Sequence, residues 1–64
     1  MKSNDTCYES LIYYKNGEKL SFWATNYIWV VECSIRFRNC GYAVEIWEYN
    51  EQGSRLLERN IHEN

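Results

Sequence analysis

Two short segments near the start of the chain are rich in aromatic and β-branched side chains, and a turn signal separates them. Residues 7–14 read CYESLIYY and residues 19–24 read KLSFWA, with KNGE between them. The pair Asn16-Gly17 is the strongest short-range signal of a β-hairpin, because a type I′ turn requires positive φ at both central positions. We therefore predict two antiparallel strands joined by a two-residue turn.

The predicted turn also determines which side chains of the hairpin share a face. A two-residue loop would place Leu11 opposite Phe22. The face that contains this pair is the more uniformly apolar one, and we assign it to the core: Leu11, Tyr13, Leu20, Phe22 and Ala24. The open face of the hairpin would then carry four large side chains among Ser and Lys: Tyr8, Ile12, Tyr14 and Trp23.

A second hairpin is predicted further along the chain. Residues 42–49 (YAVEIWEY) alternate apolar and polar side chains, NEQG supplies a turn, and residues 54–61 (SRLLERNI) can pair back. A four-residue loop sets Glu45 against Glu58, which repel each other, whereas a three-residue loop pairs Glu45 with Arg59. The sequence leaves both registers open.

The stretch between the hairpins, NYIWVVECSIRFRNCG at residues 26–41, fits two different periods. As a strand it alternates polar and apolar residues from Glu32 to Arg38. As a helix it starts at a favourable N-cap, Asn26, and stops before Gly41, which suits a left-handed C′ position. Helical spacing gathers its apolar residues into two adjoining stripes, both of which we expect to be buried: Val30, Cys33, Phe37 and Cys40, and beside them Ile28, Val31 and Ile35. Because a strand of about twelve residues would be longer than usual, we predict a helix.

Together these elements predict a small α+β fold. The order is ββαββ, in which two hairpins form one four-stranded sheet and one helix packs on one of its faces. The alternative is an all-β, five-stranded meander. We expect a single domain over residues 1–64, with frayed ends at residues 1–6 and 62–64.

Composition and charge narrow the range of partners. The net charge is −2 and no basic block is present, so we expect no nucleic-acid partner. No apolar run is long enough to span a membrane, and the polar start, MKSND, is unlike a signal peptide. Three cysteines, an odd number, make a poor disulfide framework. We therefore expect a cytoplasmic protein with reduced thiols and no membrane partner.

No set of residues has the spacing of a metal or catalytic site. Cys33 and Cys40 would lie about 10 Å apart along a helix, too far to share a zinc ion, and Cys7 is remote from both. His62, the sole histidine, stands third from the C-terminus, where a fixed catalytic geometry is not expected. We expect no metal, no cofactor and no enzymatic activity.

The sequence has an excess of aromatic residues: three Trp, six Tyr and two Phe. A helix on one face of the sheet would leave five of them on the other face, Tyr8 among them. We take the other four as the candidate partner-binding site: Tyr14, Trp23, Trp47 and Tyr49. Trp and Tyr are enriched at interface hot spots. The pattern favours a small protein-interaction module that binds a protein partner or itself as a homodimer, such as an accessory or inhibitor protein of a phage or mobile element. The alternative is a nucleic-acid or nucleotide-ligand binding module that stacks bases on the same rings.

Overall fold

The structure, a computed structural model, describes residues 6–59 of the chain. It contains four strands and one helix: β1 (Cys7–Tyr13), β2 (Lys19–Ala24), α1 (Tyr27–Asn39), β3 (Ala43–Asn50) and β4 (Gly53–Arg59). The predicted ββαββ order is confirmed, including the choice of a helix over a fifth strand. The frayed ends predicted at residues 1–6 and 62–64 lie outside the described residues, except for Thr6.

All four strands form one antiparallel sheet in the order β2-β1-β3-β4. Helix α1 packs mainly against β1 and β3 and also against β2. The helix therefore covers one face of the sheet. Within residues 6–59, no helix or strand covers the other face.

Helix α1 begins and ends where the sequence predicts. The Oδ1 atom of Asn26 accepts a hydrogen bond at 3.1 Å from a backbone N–H of the first turn, as an N-cap does. At the other end Gly41 has a φ of +98°. Its N–H donates to the carbonyl of Arg38, and the N–H of Tyr42 donates to the carbonyl of Phe37. These two bonds form a Schellman motif, and the rings of Tyr42 and Phe37 pack beside it with centroids 6.2 Å apart.

The first hairpin is present, but its register differs by one residue from the predicted one. The N–H of Tyr14 donates to the carbonyl of Glu18 at 2.8 Å, and the N–H of Gly17 donates to the carbonyl of Tyr14 at 3.2 Å. These bonds enclose a loop of three residues, in which Gly17 alone has positive φ, +92°. The geometry matches a turn followed by a glycine bulge rather than a two-residue type I′ turn.

The changed register exchanges the two faces of β1, because neighbouring residues of a strand point to opposite sides of the sheet. Ile12 pairs with Leu20 and is completely buried on the helix side, so it belongs to the core and not to the open face. Leu11 and Tyr13, assigned to the core by the predicted register, lie on the open face. Strand β2 keeps its predicted orientation, with Phe22 toward the helix.

The second hairpin combines the two registers that the sequence leaves open. Near the turn, Trp47 pairs with Leu56, which is the register of the predicted four-residue loop, although Asn50 also pairs with Gly53 and only two residues lie between them. Further from the turn, Glu45 pairs with Arg59, as the shorter loop requires. A β-bulge between the two pairs absorbs one extra residue of β4. The bulge therefore places Glu45 opposite a cation and not opposite Glu58.

The core between the helix and the sheet is small and includes a polar pair. Among residues 6–59, four apolar side chains are at most 2 % exposed: Ile12, Val30, Val44 and Ile46. The Oγ atoms of Ser10 in β1 and Ser34 in α1 lie 2.6 Å apart in the same layer. Because Ser34 donates its own proton to the carbonyl of Val30 at 2.7 Å, Ser10 is the donor of the bond between them. This bond joins the middle of the helix to the middle of the sheet.

The two apolar stripes predicted on α1 are not both buried. On the first stripe Val30 is completely buried, Cys33 and Phe37 are partly buried, and Cys40 is exposed. On the second stripe, Ile28 is 66 % exposed and Ile35 is 37 % exposed. The prediction that both stripes are covered is therefore wrong, because a helix that rests on a sheet buries one side only.

Candidate functional site

The face of the sheet opposite α1 carries aromatic and charged side chains from all four strands. Side chains of directly paired residues lie on the same side of an antiparallel sheet, so the pairing registers identify the members of this surface. We call it the aromatic face, and its large and charged members are Glu9, Leu11, Tyr13, Lys19, Trp23, Glu45, Trp47, Tyr49, Leu56 and Arg59.

Three of the four predicted partner-binding residues lie on the aromatic face: Trp23, Trp47 and Tyr49. The ring of Trp23, which is 51 % exposed, contacts the ring of Tyr49. Their centroids are 4.7 Å apart and their planes are inclined by 42°. Since Trp23 belongs to β2 and Tyr49 to β3, this contact bridges β1, which lies between them. The structure thus brings together residues that are far apart in the sequence.

The fourth predicted residue, Tyr14, lies on the helix side of the sheet. Its ring meets the edge of the Tyr42 ring at 5.0 Å, close to the C-terminal end of α1. We predicted Tyr14 on the open face because, with a two-residue loop, the even-numbered side chains of β1 would point away from the helix. In the observed register, Tyr13 lies on the aromatic face instead.

Glu9 is a carboxylate buried within the aromatic face. It pairs with Trp23 on one side and with Trp47 on the other, and it is only 8 % exposed. The hydroxyl of Tyr49 donates a hydrogen bond to its Oε1 atom at 2.7 Å. Within residues 6–59 this is the one hydrogen bond that Glu9 accepts, and no Lys or Arg there forms an ion pair with it.

Glu45 is the second carboxylate of this face, and it has many more partners than Glu9. Its Oε1 atom accepts hydrogen bonds at 3.1 Å from the hydroxyl of Tyr13 and from the indole N–H of Trp47. Its Oε2 atom accepts from Nε of Arg59 at 3.2 Å, and its side chain is 12 % exposed. The charge of Glu45 is therefore balanced within the protein.

Both carboxylates raise the pKa of the tyrosine that donates to them. For Tyr49, the hydrogen bond to Glu9 is the main cause of a pKa above the ordinary value of 10.0, and burial adds to it. For Tyr13, burial is the main cause of the raised pKa, followed by the hydrogen bond to Glu45. Each phenol thus keeps its proton and remains a donor at neutral pH.

Glu9 and Glu45 are not among the residues predicted from the sequence. For Glu45 a signal was present, because one of the two open registers pairs it with Arg59. For Glu9 no comparable signal existed. Its burial depends on the register of β1 with both of its neighbours, and the sequence predicted only one of these, incorrectly.

The three cysteines are scattered over the fold. Cys7 lies at the start of β1 opposite Tyr49, while Cys33 and Cys40 lie along α1 and at its C-cap. Within residues 6–59, no three His, Cys, Asp or Glu side chains converge as metal ligands would; His62 lies outside that range. In the described part of the chain, no helix is both long and apolar enough to cross a membrane.

No protein-family model matches this chain, and neither a curated protein nor a solved structure does. Its function is therefore inferred from its own residues.

Proposed function

We propose that this protein is a small, non-enzymatic protein-interaction module that binds a protein partner, or a second copy of itself, through the aromatic face. The observation that carries the proposal is the contact between Trp23 and Tyr49. An indole ring that is half exposed packs against a neighbouring ring on a sheet face that no helix or strand of residues 6–59 covers.

The energetics of such a surface favour association. Each aromatic side chain can bury roughly 150–250 Å², and Trp and Tyr dominate interface hot spots. The hydroxyls of Tyr13 and Tyr49 and the indole N–H of Trp47 are already hydrogen-bonded within the face. These side chains therefore lose little conformational freedom when a partner binds.

The charges of the aromatic face favour a protein partner over a nucleic acid. Glu9 and Glu45 would repel phosphate groups, and Arg59 is already paired with Glu45. Arg55, on the helix side of β4, is paired with Glu48 at 2.9 Å. Two of the basic groups that a phosphate backbone could use are thus engaged with carboxylates.

The helix side presents the competing surface. There Trp29 is 49 % exposed and its ring packs against Phe22 with centroids 5.7 Å apart. A shallow apolar depression of about 320 Å³ lies further along the helix, lined by Cys33, Arg36, Phe37 and Cys40. We prefer the aromatic face because three of its aromatic side chains, Tyr13, Trp47 and Tyr49, are hydrogen-bonded within it, and because all four strands contribute to it.

We place the module in the cytoplasm, where Cys7, Cys33 and Cys40 would stay reduced; all three are free thiols in the structure. More specifically, we propose a role as an accessory or inhibitor protein of a phage or mobile element. The genes that surround the coding sequence test that narrower role, because mobile-element genes should be among them.

The proposal is tested by two matched tryptophan variants. Trp23→Ala and Trp29→Ala remove indole rings of nearly equal exposure, 51 % and 49 %, from opposite sides of the sheet. Molar mass from light scattering over a range of concentrations measures self-association. Quantitative affinity capture from host lysate measures partner binding.

We expect Trp23→Ala to abolish the dimer mass or the captured partner, and Trp29→Ala to retain them. If Trp23→Ala keeps both the mass and the partner of the unaltered chain, the aromatic face is not the interface. If Trp29→Ala alone loses them, the interface is on the helix side. Far-ultraviolet circular dichroism confirms that each variant is folded.

A further inference from the structure

We infer that the aromatic face receives an arginine side chain of the protein partner, and that Glu9 is its counter-ion. This inference rests on the proposed function, because it names the chemical group that the interaction surface recognises. It is carried by the contrast between the two buried carboxylates of the face.

Buried carboxylates in proteins are paired with cations or with several donors. Glu45 follows this rule, since it accepts three hydrogen bonds and one comes from the guanidinium of Arg59. Glu9 is at least as deeply buried, yet within residues 6–59 it accepts one hydrogen bond, from a neutral hydroxyl. A carboxylate can accept about four hydrogen bonds, so Glu9 has acceptor capacity that no other residue of 6–59 uses. No buried side-chain oxygen among the described residues lacks a partner, so this remaining capacity is open to solvent and to an incoming group.

The aromatic rings around Glu9 also favour a cation. The indoles of Trp23 and Trp47 belong to the residues that pair with Glu9 on its two sides, and Trp is the best π partner for a positive charge. A cation already lies over a ring elsewhere on this side of the sheet, where the Nζ atom of Lys19 is 6.0 Å from the centroid of the Tyr13 ring. The surroundings of Glu9 thus suit an incoming positive group.

The shape of the site favours arginine over lysine. A guanidinium is flat, so it can lie against an indole while its in-plane N–H groups donate to a carboxylate. An ammonium is a compact and strongly hydrated charge that would lose its water to reach a carboxylate that is 8 % exposed. The half-exposed ring of Trp23 offers the stacking surface.

The test uses the three tryptophans of the chain as reporters. The probe is the peptide acetyl-Gly-Arg-Gly-amide, and the control is the same peptide with citrulline, which has the shape of arginine without its charge. The indole N–H signals of ¹⁵N-labelled protein are followed by NMR during titration. We expect saturable shifts of Trp23 and Trp47 with a dissociation constant in the millimolar range, and no shift of Trp29 on the other side of the sheet.

Charge variants assign the effect to Glu9. Glu9→Gln keeps the shape and an acceptor for Tyr49 but removes the charge, and we expect it to weaken binding of the arginine peptide about tenfold or more. The matched control is Glu48→Gln, which changes the net charge equally on the opposite face, where Glu48 pairs with Arg55. We expect this control to bind as the unaltered chain does.

Four results would overturn the inference. They are equal binding of the citrulline peptide, tighter binding of the corresponding lysine peptide, unchanged affinity in Glu9→Gln, and the absence of any shift at Trp23. The citrulline comparison uses the unaltered protein, so it tests whether the positive charge is recognised even if Glu9→Gln does not fold. If the arginine peptide fails to bind while Trp23→Ala still abolishes self-association or partner capture, this inference fails and the proposed function stands.

Discussion

Glu9 and Glu45 lie on neighbouring strands of the same sheet face and are stabilised in different ways. Glu45 is held by a guanidinium, an indole and a phenol, whereas Glu9 depends on the hydroxyl of Tyr49 among the described residues. Leaving a buried charge without its donor costs more than an average hydrogen bond contributes. We therefore expect that removing a single hydrogen-bond donor to Glu9 or Glu45 measurably lowers the free energy of unfolding.

Removal of the Tyr49 hydroxyl tests this dependence. In Tyr49→Phe, Glu9 loses its hydrogen bond, and we expect the free energy of unfolding to fall by about 1–3 kcal/mol. The matched control is Tyr14→Phe, since the Tyr14 hydroxyl forms no hydrogen bond within residues 6–59 and its removal should change stability by less than about 0.5 kcal/mol. Urea denaturation measures both, and equal effects of the two changes would contradict this account.

The raised pKa values of Tyr13 and Tyr49 predict a loss of stability at alkaline pH. Tyrosines of the unfolded chain ionise near pH 10, whereas these two keep their protons to higher pH in the folded protein. The unfolded state therefore binds fewer protons in this range, and the free energy of unfolding decreases as the pH rises above about 10. Below that pH the contribution is complete.

Denaturation midpoints between about pH 9 and pH 11 measure this effect, because the range brackets the ordinary tyrosine pKa. We expect a shallower decline in Tyr49→Phe than in the unaltered chain. A decline of the same slope in both proteins would show that Tyr49 is not one of the groups responsible.

At the scale of elements, the length of a hairpin loop determines which side chains of a strand point to the helix and which point to the aromatic face. The first hairpin has a glycine at positive φ in its loop, as predicted, but it uses three loop residues in place of two. Asn-Gly suits the shorter loop, and glycine bulges suit the longer one, so the local signal is compatible with both. The choice between them moved Tyr13 to the aromatic face and Tyr14 to the helix side. Local sequence thus identified the hairpin but not its register.

The C-terminal end of α1 provides a test at this scale. Gly41 has a φ of +98°, and a Cβ atom added there would meet nothing within 4 Å, so any cost of substitution is conformational. We expect Gly41→Ala to lower the free energy of unfolding by about 1–2 kcal/mol. Gly41→Asn should cost less, because Asn tolerates the left-handed region. Thermal unfolding followed by circular dichroism measures both, and the opposite ranking would contradict the helix end described here.

For the molecule as a whole, the position of the helix on the sheet depends on a small core. Four apolar side chains are nearly inaccessible, and the buried bond between Ser10 and Ser34 lies in the same layer. A chain of this length buries only about 60 % of its unfolded surface. A buried polar pair in so small a core has a large influence on stability, because an unpaired hydroxyl there has no access to water.

A double-mutant cycle measures that influence. Ser34→Ala leaves Ser10 without its acceptor, and we expect a loss of about 1–3 kcal/mol. Ser10→Ala should cost less, because Ser34 still donates to the carbonyl of Val30. The double variant should lose less than the sum of the two single losses, with a coupling of about 0.5–3 kcal/mol. Strictly additive losses would show that the two hydroxyls act independently.

The sequence by itself determined the elements and their order. The N-cap at Asn26, the glycine at 41 and the alternation in the strands are local signals, because capping and backbone conformation depend on neighbouring residues. From these signals the ββαββ fold and three members of the aromatic face, Trp23, Trp47 and Tyr49, could be predicted.

The tertiary structure decided the registers and, with them, the chemistry of the aromatic face. A shift of one residue turns every side chain of a strand to the other side, and in both hairpins the local sequence is compatible with two registers. Burial of Ile12, Val44 and Ile46 under the helix fits the observed register. That register buries Glu9 between Trp23 and Trp47. The arrangement depends on how β1, β2 and β3 pair, so the sequence of one strand alone does not predict it.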